Sequence, residues 1–331
     1  MRNVANAKPV TGLVGDVGGT HARFAVARVT GGVVALDDPV TFRAADYPTG
    51  DAALSAYLAQ LGAADRPRYA VVAAAGPIDD GAVIFTNNPA WSFSERGVAK
   101  VGGFGKALLI NDFTAQALAL EHLKAKDCRR LGPAGRRPKR GTMVVLGPGT
   151  GFGAAARVDD GQVRATSTTE GGHSGFSPGD DVEVEILRRL MLRFGRVSIE
   201  RVLSGPGLLN LYQTLAEIRG EPASRTAPDE ITRHGLAGEA LCKLALERFC
   251  AILGSVAGDF ALTYGARGGV YVSGGIAPDI FDFLSASDFR RRFEAKGRMS
   301  DYLKPIPTQV VVNPHSALIG AASQLAELAA Q

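Results

Sequence analysis

The chain has 331 residues, 46% of them apolar and 21% charged, which suits packed cores and excludes a disordered or low-complexity polymer. At ~150 residues per domain, its length predicts about two domains. The net charge of +4 comes from one segment, Lys124–Arg140, which carries eight basic residues and one acid and leaves the rest of the chain at −3.

The first twelve residues lack the ~7–15-residue apolar core of a signal peptide, and no apolar run approaches the roughly 20 residues of a membrane span. Leu13–Val17, Ala22–Val29 and Val33–Phe42 read as three strands, the last two joined by a hairpin turn at Gly31-Gly32. A helix follows, with Leu54, Leu58 and Leu61 on one face. Ala70–Ala75 is a buried strand stopped by Gly76-Pro77, and Leu108–Asn111 is a short strand leading into a helix from Asp112. The basic segment is interrupted by Gly132, Pro133, Gly135 and Pro138 and reads as a solvated connector. Its functional alternative is an anion-attracting rim. No aromatic residue interleaves the basic ones, so no nucleic-acid partner is expected.

Beyond it the pattern restarts. Thr142–Leu146 is a strand, Gly147–Gly153 a glycine-rich turn, and Ala154–Val158 and Gln162–Thr166 two more strands. A helix follows in which Val182, Ile186, Leu190 and Phe194 recur every four residues. Gly269–Ser273 is a strand ending in a Gly274-Gly275 turn, and His315–Ala329 is a last helix. Strand–strand–strand–helix–strand–helix thus occurs twice, predicting two related α/β domains with ligands in a cleft between them. Cys128, Cys242 and Cys250 form no Cys-x-x-Cys pair, which predicts a reducing, cytoplasmic setting.

Several short motifs carry chemistry. In Asp16-Val17-Gly18-Gly19-Thr20, two glycines let backbone N–H groups face an anion, Thr20 adds a hydroxyl, and Asp16 is placed to hold Mg²⁺ through water. Gly149-Thr150-Gly151 repeats the theme in the second half; the four glycines of Gly147–Gly153 are hard to explain by structure alone. No Walker Lys-Ser/Thr follows, and Phe152 breaks the dinucleotide fingerprint. Gly274 and Gly275 suit close approach to a flat ligand such as adenosine.

Asn111-Asp112 reads as a helix cap, or as a carboxylate that accepts a proton from a hydroxyl. Glu170 and His173, on a glycine-rich polar loop, offer the paired donors and acceptors a sugar needs. Glu200 taken alone reads as a surface helix carboxylate. Gly175-Phe176-Ser177-Pro178-Gly179 matches a hydrolase signature, but Pro178 has no N–H for an oxyanion hole. Neither His-Glu-x-x-His nor another metal-ligand cluster occurs.

Together these segments resemble the bacterial ATP-dependent glucokinases, within the group that includes hexokinase and actin. LVGDVGGTHARFAV, INDFTAQALAL, LGPGTGFGAA, STTEGGHSGFSP, ERVLSGPGLLNLY and VSGGIAP occur in that order across nearly the whole chain. The resemblance implies two actin/hexokinase-like (ribonuclease H-like) α/β domains with an inter-domain cleft. Residues 1–122 plus 312–331 would form the smaller and 123–311 the larger. Gly15, Asp16, Val17, Gly18, Gly19 and Thr20 would form the first phosphate loop, with Asp16 near Mg²⁺. Gly149, Thr150 and Gly151 would form the second, and Gly274 and Gly275 would abut the adenosine of ATP.

Asp112 would be the general base on the 6-hydroxyl of glucose, with Asn111 beside it, while Glu170, His173 and Glu200 bind other hydroxyls. Closure of the domains on sugar and a homodimer are also implied. His21 stands where the family usually has Asn, Pro148 where it has a small residue, and the basic connector is longer than usual. The alternatives are a kinase for another hexose or one using polyphosphate, and, outside enzymes, a sugar-sensing regulator or an actin-like scaffold. Only 12 residues precede the first strand, too few for a helix-turn-helix.

Overall fold

The computed structural model describes residues 9–62, 66–85, 91–135, 138 and 140–331. The chain forms two compact units, Met1–Lys124 with Asn313–Gln331, and Ala125–Val312.

The first unit opens with an antiparallel meander, β1 (Val10–Val17), β2 (His21–Thr30), β3 (Val33–Leu36) and β4 (Val40–Arg43). Gly31 and Gly32 have φ of 58° and 81°, the left-handed pair that a tight hairpin turn requires. The expected single strand Val33–Phe42 is two. Pro39, which has no N–H to give the ladder, lies in the break. β3 pairs with Ala27–Thr30 of β2 and β4 with His21–Phe24. After α1 (Gly50–Leu58), capped by Thr49, come β5 (Tyr69–Ala74), a small hairpin β6 (Ala82–Val83) and β7 (Phe93–Ser94), α2 (Glu95–Gly102), β8 (Lys106–Asn111) and α3 (Asp112–Ala119).

The sheet order is β3-β2-β1-β5-β8, with β4 beside β2; β1, β5 and β8 run parallel. Both faces of this sheet are covered, so the parallel strands are apolar without alternation. Leu13, Val72 and Leu109 face an aromatic cluster of Phe24, Phe42, Tyr57, Trp91 and Phe93. Val14, Val71 and Leu108 face the C-terminal helices through Leu318 and Leu325.

The second unit begins inside the basic segment. Cys128–Arg130 is not solvated connector but an edge strand, β9, followed by Leu131, which is buried. The expected run of charge there includes Arg136, Arg137 and Lys139, which lie outside the described residues. β10 (Met143–Pro148), β11 (Phe152–Asp159) and β12 (Arg164–Thr169) form the meander; α4 (Asp181–Phe194), α5 (Gly205–Arg219), α6 (Pro228–Leu236) and α7 (Ala240–Tyr264) follow. β13 (Gly269–Val272), α8 (Ile276–Asp279), α9 (Phe281–Ala286), α10 (Phe289–Glu294), α11 (Ser300–Leu303) and β14 (Thr308–Val311) complete it.

Its sheet order is β12-β11-β10-β13-β14-β9, so β12 to β14 repeat the third-second-first-fourth-fifth order of β3-β2-β1-β5-β8. The helix after β14 belongs to the first unit and is two helices, α12 (Ser316–Ser323) and α13 (Leu325–Ala330), where one was expected.

In α4 the buried positions are Glu183, Ile186 and Leu190, while Val182 and Phe194 stay 36% and 37% exposed. The four-residue repeat drifts off the core face because it outpaces the 3.6-residue turn. Glu183 is fully buried against Arg292 of α10, in a two-bond pair at 2.8 and 2.7 Å.

Candidate functional site

In the first unit, Gly15, Asp16 and Val17 are still strand, and the turn proper is Gly18–Thr20, closed by the Gly18 N–H on the His21 carbonyl at 2.9 Å. A Cβ on Gly15 would sit 3.1 Å from the Phe24 ring, so packing accounts for that glycine; Gly18 has no such neighbour. Asp16 and Arg23 face each other across the hairpin register, and the Arg23 guanidinium meets the Asp16 carboxylate at 3.1 Å. Burial nevertheless pushes the Asp16 carboxyl above its ordinary range, against the pull of Arg23 and, more weakly, His315 at the start of α12. His21, the family departure, sets its Nδ1 3.2 Å from the Thr20 hydroxyl oxygen.

The parallel register places the next residues. Val17 pairs with Ala74 and Ala74 with Asn111, so Asp16 and Asn111-Asp112 leave the same C-terminal sheet edge, two strands and about 10 Å apart at ~4.8 Å per strand. The Asn111 side-chain oxygen accepts from the Phe113 and Thr114 N–H groups at 2.9 and 3.1 Å, and its amide donates to the Gly76 carbonyl at 3.1 Å. The cap is therefore Asn111. Asp112, at the first helical position, also accepts from the Phe113 N–H at 2.9 Å, and the helix N-terminus favours its charge.

In the second unit the glycine-rich turn is shorter than expected, because β10 runs to Pro148 and β11 starts at Phe152. The glycines divide by cause. A Cβ on Gly147 would drive into the Ser273 carbonyl, and one on Gly151 would sit 2.5 Å from Glu200 Oε2, whereas Gly149 faces open space. Gly274 adopts φ of 90° against the Pro148 carbonyl, and Gly275 is open. Backbone packing thus explains Gly147 and Gly274, while Gly149 and Gly275 leave room for a close ligand.

Glu200 is not on a helix, as expected, but on the loop between α4 and α5. Its carboxylate accepts from the Phe152 N–H at 2.8 Å, and its own N–H donates to the Gly172 carbonyl at 2.9 Å. The two loops are zipped together: the Ile199 N–H reaches the Ser174 carbonyl and the Phe176 N–H the Val197 carbonyl, at 2.9 and 3.0 Å. Glu170 precedes and His173 ends a 3₁₀ turn, Gly171–His173, whose first N–H is held by Thr169; both side chains are exposed. The Gly149–Gly151 turn, Glu170, His173 and Glu200 are therefore one connected structure. Arg23, His315 and Arg196, whose guanidinium donates to the His173 carbonyl at 2.7 Å, were not foreseen. The first could have been found from the hairpin register; the other two meet their partners only through the fold.

No cluster of three or more His, Cys, Asp or Glu side chains able to hold a metal occurs among the described residues, nor among them does any helix reach the length and apolarity needed to cross a membrane. Asp16 still suits a divalent cation. It offers a carboxylate, the hard oxygen donor such a cation prefers, at the end of β1, and burial rather than a missing partner is what raises it.

Comparison with known proteins gives a consistent picture. The glucokinase family model matches residues 13–328. A glucokinase from a Caulobacter species is 55% identical over 94% of each chain. A glucokinase crystal structure from an Antarctic psychrotroph superposes with a TM-score of 0.85 at 36% identity, covering 97% of this chain and all of the other. A ROK family glucokinase from Streptomyces griseus, solved with glucose and AMPPNP, shares the fold at a TM-score of 0.62 and 17% identity, over 94% and 98% of the two chains.

Proposed function

The chain belongs to the bacterial glucokinase family, with its two-domain hexokinase-like fold, and on that premise we propose that it transfers the γ-phosphoryl group of ATP to the 6-hydroxyl of glucose. The observation that carries the residue roles is the shared sheet edge: the Gly18–Thr20 turn and Asp16 leave it beside Asn111-Asp112, which supports one edge handling phosphate and a hydroxyl proton.

Asp112 takes the proton of the 6-hydroxyl. A sugar alcohol is a poor nucleophile, and a carboxylate that removes its proton as transfer proceeds contributes about 10²–10⁴ in rate. Asn111 holds that carboxylate in place through the cap. Glu170, His173 and Glu200 bind the remaining hydroxyls, and the zipped loops keep them pre-organised, which favours positioning over induced ordering. The Gly18 and Gly149 N–H groups close the two turns on the His21 and Gly151 carbonyls, so the N–H groups of Gly19, Thr20, Thr150 and Gly151, with the Thr20 and Thr150 hydroxyls, bind the phosphates of ATP, and Gly275 lies against the adenosine. Because the transition state is loose and charge-rich, this positioning and the local electrostatics do most of the catalytic work. Asp16 would hold Mg²⁺ through water, and the ion would supply positive charge to the phosphate oxygens. Family resemblance further supports a cytoplasmic homodimer.

A coupled ADP-release assay with Mg-ATP and a hexose panel tests this reading. Strong turnover on glucose with weak turnover on mannose and fructose is expected. An ATP-binding protein that turns over no hexose would overturn it, and activity only with polyphosphate would replace the donor.

A further inference from the structure

Each carbonyl of the Gly171–His173 turn has a donor. The Ser174 N–H and hydroxyl both go to Gly171, at 3.1 and 2.7 Å, and the Glu200 N–H goes to Gly172. The third carbonyl, that of His173, accepts from the Arg196 guanidinium at 2.7 Å. The other donors are a neighbouring residue and a backbone group of the zipped loop. Among the described residues Arg196 is the one long side chain that donates to this turn.

Local structure brings it there. α4 ends at Phe194, Gly195 takes a φ of 71°, and the chain reverses to pair with the sugar loop. The preceding arginines serve another purpose: Arg188 and Arg189 pair with Glu185, and Arg193 with Glu217. Among the described residues no carboxylate pairs with Arg196. Its charge is directed at the carbonyl of His173 itself, and so at the backbone from which the imidazole leaves.

We propose that Arg196 is a positioning residue of the hexose site, holding the His173 peptide so that His173 and Glu170 meet the sugar together. This rests on the sugar-binding reading of those two residues. Arg196 acts on glucose and not on nucleotide, and it acts before chemistry.

The test is calorimetric glucose binding without nucleotide, alongside KM for each substrate and urea unfolding, for the wild type, Arg196→Ala, Arg196→Lys and His173→Ala. Loss of one charge-assisted hydrogen bond should weaken glucose binding about tenfold in Arg196→Ala, with ATP KM and the urea midpoint unchanged. Arg196→Lys should recover much of it, because a carbonyl needs one donor and not a guanidinium fork. If His173→Ala loses glucose while Arg196→Ala binds it as the wild type does, the inference falls and the sugar-site reading stands. A wild type that binds no glucose overturns both. A lowered urea midpoint with both KM values raised would assign Arg196 to folding and also overturn the proposal.

Discussion

Replacing Asp112 with Asn separates chemistry from structure, because the helix cap lies one residue earlier. Asn111 receives both the Phe113 and Thr114 N–H groups, at 2.9 and 3.1 Å, and Asp112 only shares the first. Asp112→Asn therefore removes a charge near a helix N-terminus, worth about 0.3–1 kcal/mol, and leaves the cap. Loss of a general base costs about 10²–10⁴ in kcat, which is about 2.7–5.5 kcal/mol in the barrier. The catalytic effect should exceed the stability effect severalfold. Asn111→Ala should behave differently: losing the cap costs about 1 kcal/mol of stability, and the Gly76 contact goes with it. Single-turnover phosphorylation of glucose and urea unfolding followed by circular dichroism measure the two quantities. An Asp112→Asn enzyme within fivefold of wild-type kcat, or one whose lost activity tracks its unfolded fraction, would refute the assignment of the base.

The glycines give a second dissociation. Gly149→Ala, with open space at the new Cβ, should fold normally and raise KM for ATP, whereas Gly147→Ala should lower the urea midpoint; equal midpoints would refute the division. Burial pushes the Cys242 thiol up to about 11 and the Cys250 thiol up to about 12, so at pH 8 their thiolate fractions are ~10⁻³ and ~10⁻⁴. An aromatic disulfide reagent should thus label one thiol quickly in the native protein, Cys128, and all three in urea; three fast native thiols would refute this. Glu183→Met takes from Arg292 its two-bond carboxylate and leaves it Asp180 at 3.6 Å and the Ser255 hydroxyl at 2.9 Å, so it should cost up to about 3–5 kcal/mol, most of which Arg292→Met on the same chain should restore. A double variant no more stable than the single one would show that the pair itself holds α4 to α10.

Local chemistry was legible, and distant pairing was not. The Gly31-Gly32 hairpin, the strand expected at Ala70–Ala75 and found at Tyr69–Ala74, and the Asn111-Asp112 junction follow from turn residues and apolar runs, and the doubled strand pattern anticipated the repeated sheet order. The basic segment misled because charge density hides a three-residue edge strand. Cys128, Arg129 and Arg130 pair with Val311, Val310 and Gln309, and nothing within the segment announces that partner. Glu200 misled for the same reason: its role is set by the Phe152 N–H, 48 residues away in sequence.

The glycine-rich turn shows where such reading stops. Four glycines in seven residues look like one signal, yet Gly147 answers to the Ser273 carbonyl and Gly151 to the Glu200 carboxylate, and a Cβ on Gly149 would meet no neighbour. A missing side chain records only that something comes close. Whether that is the protein's own backbone or a ligand depends on what the fold brings to the same place. At Gly149 the backbone is engaged by Gly151 and Gly205, but the fold puts nothing where a side chain would be, which is why the strongest expectation of ligand contact in that turn attaches to it.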